Sequence, residues 1–407
     1  MSGFTNISFL VEPLESVFFG QPRSFNAGEA HRTNSVFPPS PFTFQGLVRS
    51  QLLRGASPVL NLDDWSTAAR QERERLVGGP DALPAGWQLQ GPFPARRVLQ
   101  EDPDEEPWIE PWTPTPRFVL GEQRNPQLAR LVQSPHPGLN DLDGAAQSLL
   151  PCGRPDAGTK VKPLEGWISP ANLLAALTGQ GAWQPKQHHR QHPPFVNWEY
   201  QPGLAIDSGS GSAEHGMLYF LNSLRFDRDS GLLGILQGAL DPRLSLSALE
   251  SATGSAGRKG RVVQFSGVER FHPAWETLMT GAHLPQAAED NATFWLLALT
   301  PARLIEPLRL ELNPPSGMRC ELLAALTGRP VALGGYQMAT GKSRANRLYV
   351  PAGSAWLLRF SGGTPADRAG FLQQLNNSHP LGPREEVAFG FGHTLVGLGP
   401  EQTKEIL

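Results

Sequence analysis

Residues 40–55, SPFTFQGLVRSQLLRG, set the first helix and with it the reading of the fold. Ser40 offers an N-cap hydroxyl, and Pro41 suits the first helical turn, where no backbone N–H is needed. Phe42, Leu47, Val48, Leu52 and Leu53 recur at near-helical spacing as far as Arg54, and Gly55 supplies the stop. The spacing predicts a helix over 41–54 that buries Phe44, Leu47, Val48 and Leu52 and leaves Arg49 off the stripe. Upstream, Ile7, Phe9 and Val11 mark a strand from Phe4 to Val11 that Glu12-Pro13 ends. From Gly20 to Pro39, glycines, Asn26, Asn34 and prolines favour loop.

Downstream the alternation continues. Ser169 caps a short helix from Pro170 to Leu177 that Gly179 closes, and Gly203–Asp207 and Gly216–Phe226 flank a Ser/Gly tract as a hairpin. Strands are expected near 232–240, 261–265, 293–299, 331–333, 346–350 and 354–360, with helices near 243–251, 318–327 and 366–375. Elements mixed in this order predict an α+β fold, with sheet on one side and helices on the other. The stretch 57–163 has another texture: prolines, an acidic cluster (Asp102, Asp104, Glu105, Glu106, Glu110), and Trp108 and Trp112 in Pro-Trp contexts. It reads as an insertion whose tryptophans serve extended recognition rather than a core.

The 43 Gly and 39 Pro among 407 residues exclude long uninterrupted helical bundles, while 39% hydrophobic residues furnish cores for about two domains. Lys and Arg total 35 against 38 Asp and Glu, so a net charge of −3 provides no global pull toward nucleic acid or membrane, and any polyanion site must be local. Cys152 and Cys320 have no CxxC companion, which argues against a disulfide framework or a cysteine zinc site and fits a reducing cytoplasm. Without a leader or an apolar run of about 18 residues, the chain is expected to be cytoplasmic.

Most enzyme signatures fail on spacing. GYQMATGKS, from Gly335, holds five residues between its glycines where a phosphate-wrapping P-loop needs four, and Gly390-Phe391-Gly392 meets its next glycine, Gly397, too late for a dinucleotide fingerprint. His188, His189 and His192 are followed by Pro193-Pro194 and lack a nearby carboxylate or cysteine to complete a metal shell. No metal or cofactor is implied. Charge is more informative: Arg329, Lys342, Arg344, Arg347 and Arg359 fall in a stretch with no acidic residue, and Arg258, Lys259 and Arg261 lie in or beside the Gly/Ser-rich run 254–260. Open backbone with cationic side chains can follow a phosphate chain. By contrast 63–110 carries eleven acidic residues against five basic.

Several segments together resemble one family. LVEPLESVFFGQPRSFNAGEA from Leu10, FPPSPFTFQGLVRSQLL from Phe37, GLAIDSGSGSAEHGMLYFLNSLRF from Gly203, GGYQMATGKSRANRLYVPAGSAWLLRF from Gly334 and GFGHTLVGLG from Gly390 are similar to signatures of Cmr subunit three. That family belongs to the RAMP superfamily of type III-B CRISPR effectors. Two details depart from its pattern: Gly20-Gln21, not a charged residue, follows the Phe-Phe pair, and four residues rather than five separate the terminal glycine pairs.

The resemblance implies two ferredoxin-like, RRM-related halves with long loop insertions, over 1–225 and 226–407, the first carrying the 57–163 insertion. It implies a non-catalytic binder of single-stranded guide RNA at its 5′ handle, docked to the large palm-domain, polymerase-like subunit and to backbone RAMP subunits, with no membrane role. An exposed sheet and glycine loops would hold the splayed RNA. Phe19, Arg23, Phe25 and Arg32, in or beside the opening match, are candidate RNA contacts, with Arg23 placed to pair a phosphate. Arg258, Lys259, Arg261, Lys342, Arg344 and Arg347 follow from local charge, and Gly390, Gly392, Gly397 and Gly399 are expected to offer backbone amides. The rival reading, a metal-independent RAMP endoribonuclease, needs a base, for which His31, His215 and His393 stand in glycine-bearing loops. A small-molecule α+β enzyme finds no matching motif.

Overall fold

The computed structural model describes residues 5–20, 32–100, 105–122, 125–128, 130–133, 149–152, 162–179, 183–206, 209–286, 288–290, 292–304 and 310–400. Strand β1 (Thr5–Pro13) ends on the expected proline, and a three-residue strand β2 (Arg32–Asn34) precedes helix α1 (Pro41–Arg54). In α1 the Ser40 hydroxyl accepts from the Thr43 N–H at 3.3 Å, as an N-cap should. The buried face comprises Phe44, Val48, Leu52 and Leu53 together with Gln45 and Gln51, while Leu47 is only half-buried. The expected stripe is therefore rotated toward the glutamines. Burial of Gln51 is tolerated because its amide donates to the Ala248 and Thr253 carbonyls at 3.0 and 3.2 Å. Leu47→Ala is accordingly expected to cost less than the ~2–5 kcal/mol of a fully buried leucine, as a denaturation midpoint would show. Arg49 lies beside the stripe and donates to the Gly78 and Gly79 carbonyls just past helix α2 (Thr67–Val77), satisfying carbonyls that the helix end leaves open.

The stretch expected to be an insertion contributes to the main sheet. Strand β3 (Gln88–Val98) pairs on one side with β4 (Trp108–Pro111), and both lie within 57–163. One of its prolines, Pro92, sits at a bulge: the register slips between Leu233 and Ile235 of the facing strand, opposite Gly91-Pro92. A proline there removes no ladder bond that the bulge had not already released. Trp112 is wholly buried, so it packs in a core rather than standing ready for extended recognition. Glu110 is buried too, with Arg96 at 2.7 Å. Asp102 and Asp104 lie outside the described residues.

Helix α3 (Pro170–Thr178) stops at Gly179, which adopts the left-handed conformation at φ 65°. The expected hairpin forms from β5 (Val196–Ile206) and β6 (Ala213–Phe226), longer than the sequence signal. It is followed by β7 (Ser230–Gly238), β8 (Ser251–Ala256), β9 (Arg261–Gly267), helix α4 (Pro273–Thr280) and β10 (Thr293–Ala298). Of the helix expected over 243–251 only a turn at Ser247–Glu250 is present. The helix expected over 318–327 is strand β11 (Met318–Leu326). Its leucines and alanines suit a helix, yet it pairs from Met318↔Gly362 to Leu326↔Ala355, and a bulge between Leu322 and Ala324 breaks the alternation that would have marked it. A second hairpin, β12 (Val331–Gln337) and β13 (Lys342–Tyr349), leads to β14 (Ala355–Gly362), helix α5 (Pro365–Leu375) and β15 (Thr394–Leu398).

Two antiparallel sheets organise the chain. The first runs β8-β9-β1-β7-β3-β4 and the second β11-β14-β10-β15. The expected break at 225/226 precedes β7, β8 and β9, all of which belong to the first sheet, so that sheet extends to Gly267. Ile7, Phe9 and Val11 pack with Phe44, Val48 and Leu52 of α1, whereas the intervening Leu10 turns into another core shared with Phe93, Leu233, Trp295, Leu297 and Leu357. On the far side, Phe294, Leu296 and Leu358 pack against Phe371 and Leu372 of α5. The central strands of both main sheets are thus covered on both faces, where an open sheet face was expected for RNA. No described helix is long and apolar enough to cross a membrane.

Candidate nucleic-acid interface

A groove opens where the β5–β6 hairpin passes the β8–β9 turn. Gly257, Lys259 and Gly260 all adopt positive φ, which lets four residues reverse the chain with two cations at the tip. The turn is pinned at its base, where the Arg258 N–H donates to the Phe18 carbonyl at 2.9 Å. Across the groove the Tyr219 ring lies over Gly203, where any Cβ would fall 2.3 Å from a ring carbon, so only glycine leaves room for the ring. The Arg258 guanidinium sits 5.7 Å above that ring. Ser16, Gln201, Tyr219, Arg258, Lys259 and Arg261 surround a cavity of about 180 Å³. Arg261 is neutralised by Glu15 at 2.6 Å. The Glu15 carboxyl is held below its ordinary range by the Val262 N–H and then by Arg261. Arg258 and Lys259 have no ion pair among the described residues and remain the cations of the groove.

The other face of the same hairpin carries Trp198 and Tyr200, each about half exposed. Their spacing of two places them on one side of β5. Tyr200 stacks on Phe220 of β6 at 5.1 Å and 24°. Arg32 of β2, in register with Phe220, holds its guanidinium 5.8 Å from the Tyr200 ring. Sequence reasoning named Arg32 but missed these aromatics, although the pattern Trp198-x-Tyr200 before a polar tip carried the period-two signal.

The second cationic cluster of the sequence is largely committed within the chain. Arg344 is mostly buried, donates to Asp81 at 2.7 Å and to the Pro80 carbonyl at 2.6 Å, and lies 4.6 Å over the Phe42 ring. Arg347 pairs with Glu386 at 3.1 Å, leaving Lys342 exposed. The β12–β13 hairpin is thereby fastened across the loop before β3. Arg344→Gln is expected to lower stability by about 1 kcal/mol, since Asp81 is well exposed and the ring contact adds a similar small amount. Thermal unfolding measures it, and RNA affinity should stay unchanged.

Other expected contacts are internal. Phe19 is core, and its N–H donates to the Ser35 hydroxyl at 2.9 Å. The amides of Gly390, Gly392 and Gly399 donate to Val387, Pro301 and Thr293 carbonyls at 2.9–3.0 Å, and Gly397 pairs with Trp295 within the sheet. These glycines are required because backbone or side chains crowd their α-carbons: a Cβ on Gly390 would meet the Gly91 oxygen at 2.8 Å and one on Gly397 a Leu177 methyl at 2.5 Å. The expected amide cradle for RNA is not formed by them. Arg23, Phe25, His31 and the side chain of His215 lie outside the described residues.

The model of the CRISPR-associated protein family Cas_Cmr3 matches residues 9–398, nearly the whole chain. The chain belongs to the Cmr3 family. No curated protein matches the sequence. Among solved structures, similar chains occur in a type III-B Cmr-beta complex bound to cognate target RNA and AMPPnP, at 14% identity, TM-score 0.42 and 86% coverage of both chains. Another occurs in a Csm1–Csm4 cassette in complex with cA4, at 11% identity, TM-score 0.30 and coverage of 88% of this chain and 87% of that one.

In this Cmr3-family chain the terminal glycine segment also buries His393 completely. Its Nε2 lies 2.8 Å from the Asn377 side-chain oxygen, its ring stacks on His379 at 4.7 Å, and burial pushes its pKa down to about 3. A histidine so enclosed cannot meet a 2′-hydroxyl. Because the folded state stays neutral while the unfolded chain protonates near pH 6.5, stability should fall as pH drops from about 6.5, by about 1.4 kcal/mol per pH unit for this residue. His379 is also shifted down by burial and adds in the same direction. Unfolding midpoints between pH 7 and 5 test it, and His393→Asn should flatten the slope. Among the described residues no group of three or more His, Cys, Asp or Glu could hold a metal ion.

Proposed function

We propose that this chain is a non-catalytic RNA-binding subunit of a type III CRISPR effector complex, a RAMP protein that anchors the 5′ handle of the guide RNA and docks the large palm-domain subunit and the backbone subunits. Membership of the Cmr3 family supports the complex, and the groove at the β8–β9 turn is the observation that carries RNA binding. It combines two cations without an ion pair among the described residues, a tyrosine and open backbone, the chemistry of a phosphate-tracking channel. Two ferredoxin-like halves are supported by strand order. In chain order the strands β1, β3, β7 and β9 lie 4-1-3-2 across the first sheet, and β10, β11, β14 and β15 lie 4-1-3-2 across the second.

The endoribonuclease reading loses one of its three bases, since His393 is enclosed. Labelled repeat RNA incubated with the chain should remain intact with or without chelator. Direct binding of single-stranded handle RNA, with an affinity that weakens steeply as salt rises, tests the reading. Discrete cleavage products, or no RNA binding alone and in the assembled complex, would overturn it.

A further inference from the structure

We infer that the outer face of the β5–β6 hairpin is a base-stacking platform for single-stranded RNA, with Trp198 and Tyr200 as its stacking surfaces and Arg32 as its phosphate partner. This rests on the RNA-binding reading and adds a second contact surface to it, on the side of the hairpin opposite the cationic groove. Alternation assigns the faces: Gln201 and Gly203 line the groove and Glu199 shares their side, while Trp198 and Tyr200 point away from it.

Residues two apart on a strand stand about 6.5–7 Å apart, close to twice the thickness of a stacked base, so neighbouring rings can each receive one splayed nucleotide. Both rings are about half exposed, at 45% and 49%, so each leaves aromatic surface accessible to a base. Tyr200 is held flat by its stack on Phe220, which fixes the ring before any ligand arrives. The polar groups of this face favour RNA over an apolar protein partner. Arg32 is exposed beside Tyr200, Asn222 and Asn34 present amides 3.3 Å apart in the next register position, and the described residues at these positions include no carboxylate. A cation, amides and aromatic rings without acid suit a phosphodiester chain with its bases turned inward.

The test uses the 407-residue chain and two fluorescent ligands, a uridine dodecamer and the same ribose-phosphate chain with abasic positions. Wild type should bind the uridine ligand more tightly than the abasic one. Trp198→Leu and Tyr200→Leu should each weaken uridine binding about 5- to 150-fold and leave abasic binding unchanged, while Tyr200→Phe should retain wild-type behaviour. Both rings are partly exposed, so the variants should fold, and circular dichroism confirms it. If wild type binds RNA but the leucine variants keep its affinity and its preference for bases, the platform is refuted while the groove stands. If no RNA binds in any form, both readings fall.

Discussion

Gly392→Val is expected to prevent folding of the C-terminal sheet, not to weaken RNA binding by a folded chain. A Cβ at this position would lie 1.8 Å from the Leu381 carbonyl oxygen, a backbone atom with no rotamer to escape through. The residue also has φ +67°, where a side chain with a branched Cβ is strained. Its N–H donates to Pro301, and its neighbours Phe391 and His393 are wholly buried, so the loop cannot swing outward without opening two cores. Overlap, strain and lost burial together place the cost above about 4 kcal/mol, most of the stability of an ordinary domain. Soluble yield and a denaturation curve read it. Gly370→Val, in α5 with no heavy atom near its would-be Cβ, should shift stability only by the small helix-propensity difference, which slightly favours valine. A Gly392→Val chain that folds normally yet releases RNA would return the loop to the RNA site.

Replacing Arg258 and Lys259 together by Gln should weaken binding of single-stranded handle RNA roughly 10- to 100-fold near 0.1 M salt, since hydrogen bonds to charged groups contribute about 1.5–3 kcal/mol. The plot of log affinity against log salt should also flatten by about 0.7 for each phosphate that the protein no longer neutralises. The same substitution leaves the fold intact, because both side chains are exposed and neither has an ion pair to break among the described residues. Arg261→Gln should do less to RNA, since its charge is already answered by Glu15. If the double substitution leaves both affinity and salt slope at wild-type values, the groove is a solvated turn and the RNA path lies elsewhere.

The two basic clusters looked alike in sequence and separated in space. Arg258 and Lys259 have no ion pair among the described residues, where the acid beside their turn, Glu15, is taken by Arg261. Arg344 and Arg347 are answered by Asp81 and Glu386, residues 263 and 39 positions away. No local window contains those partners, so composition alone could not tell a binding cation from a structural one. The glycine-rich terminus failed as a candidate RNA cradle for the same reason. Its glycines were visible, but glycine serves close packing and ligand approach equally well, and only the positions of Leu381, Leu177 and Thr293 distinguish the two.

What the sequence determined by itself lies within a few residues of its signal. Helix α1 with its Ser40 cap and Gly55 end, the stop of α3 at Gly179 and the β5–β6 hairpin depend on capping groups, backbone conformation and short-range periodicity, which neighbours in the chain supply. Where a bulge disturbed the period, as at Gly91-Pro92 and between Leu322 and Ala324, that reading lost a core strand to a supposed insertion and another to a supposed helix. Which surfaces are open was decided by tertiary structure alone. Continuous apolar runs such as Phe9-Leu10-Val11 and Phe294–Leu299 are compatible with two covered faces, but only the packing of the sheets against each other and against helices α1 and α5 covers their central strands on both sides and leaves the hairpin and its adjoining turn exposed.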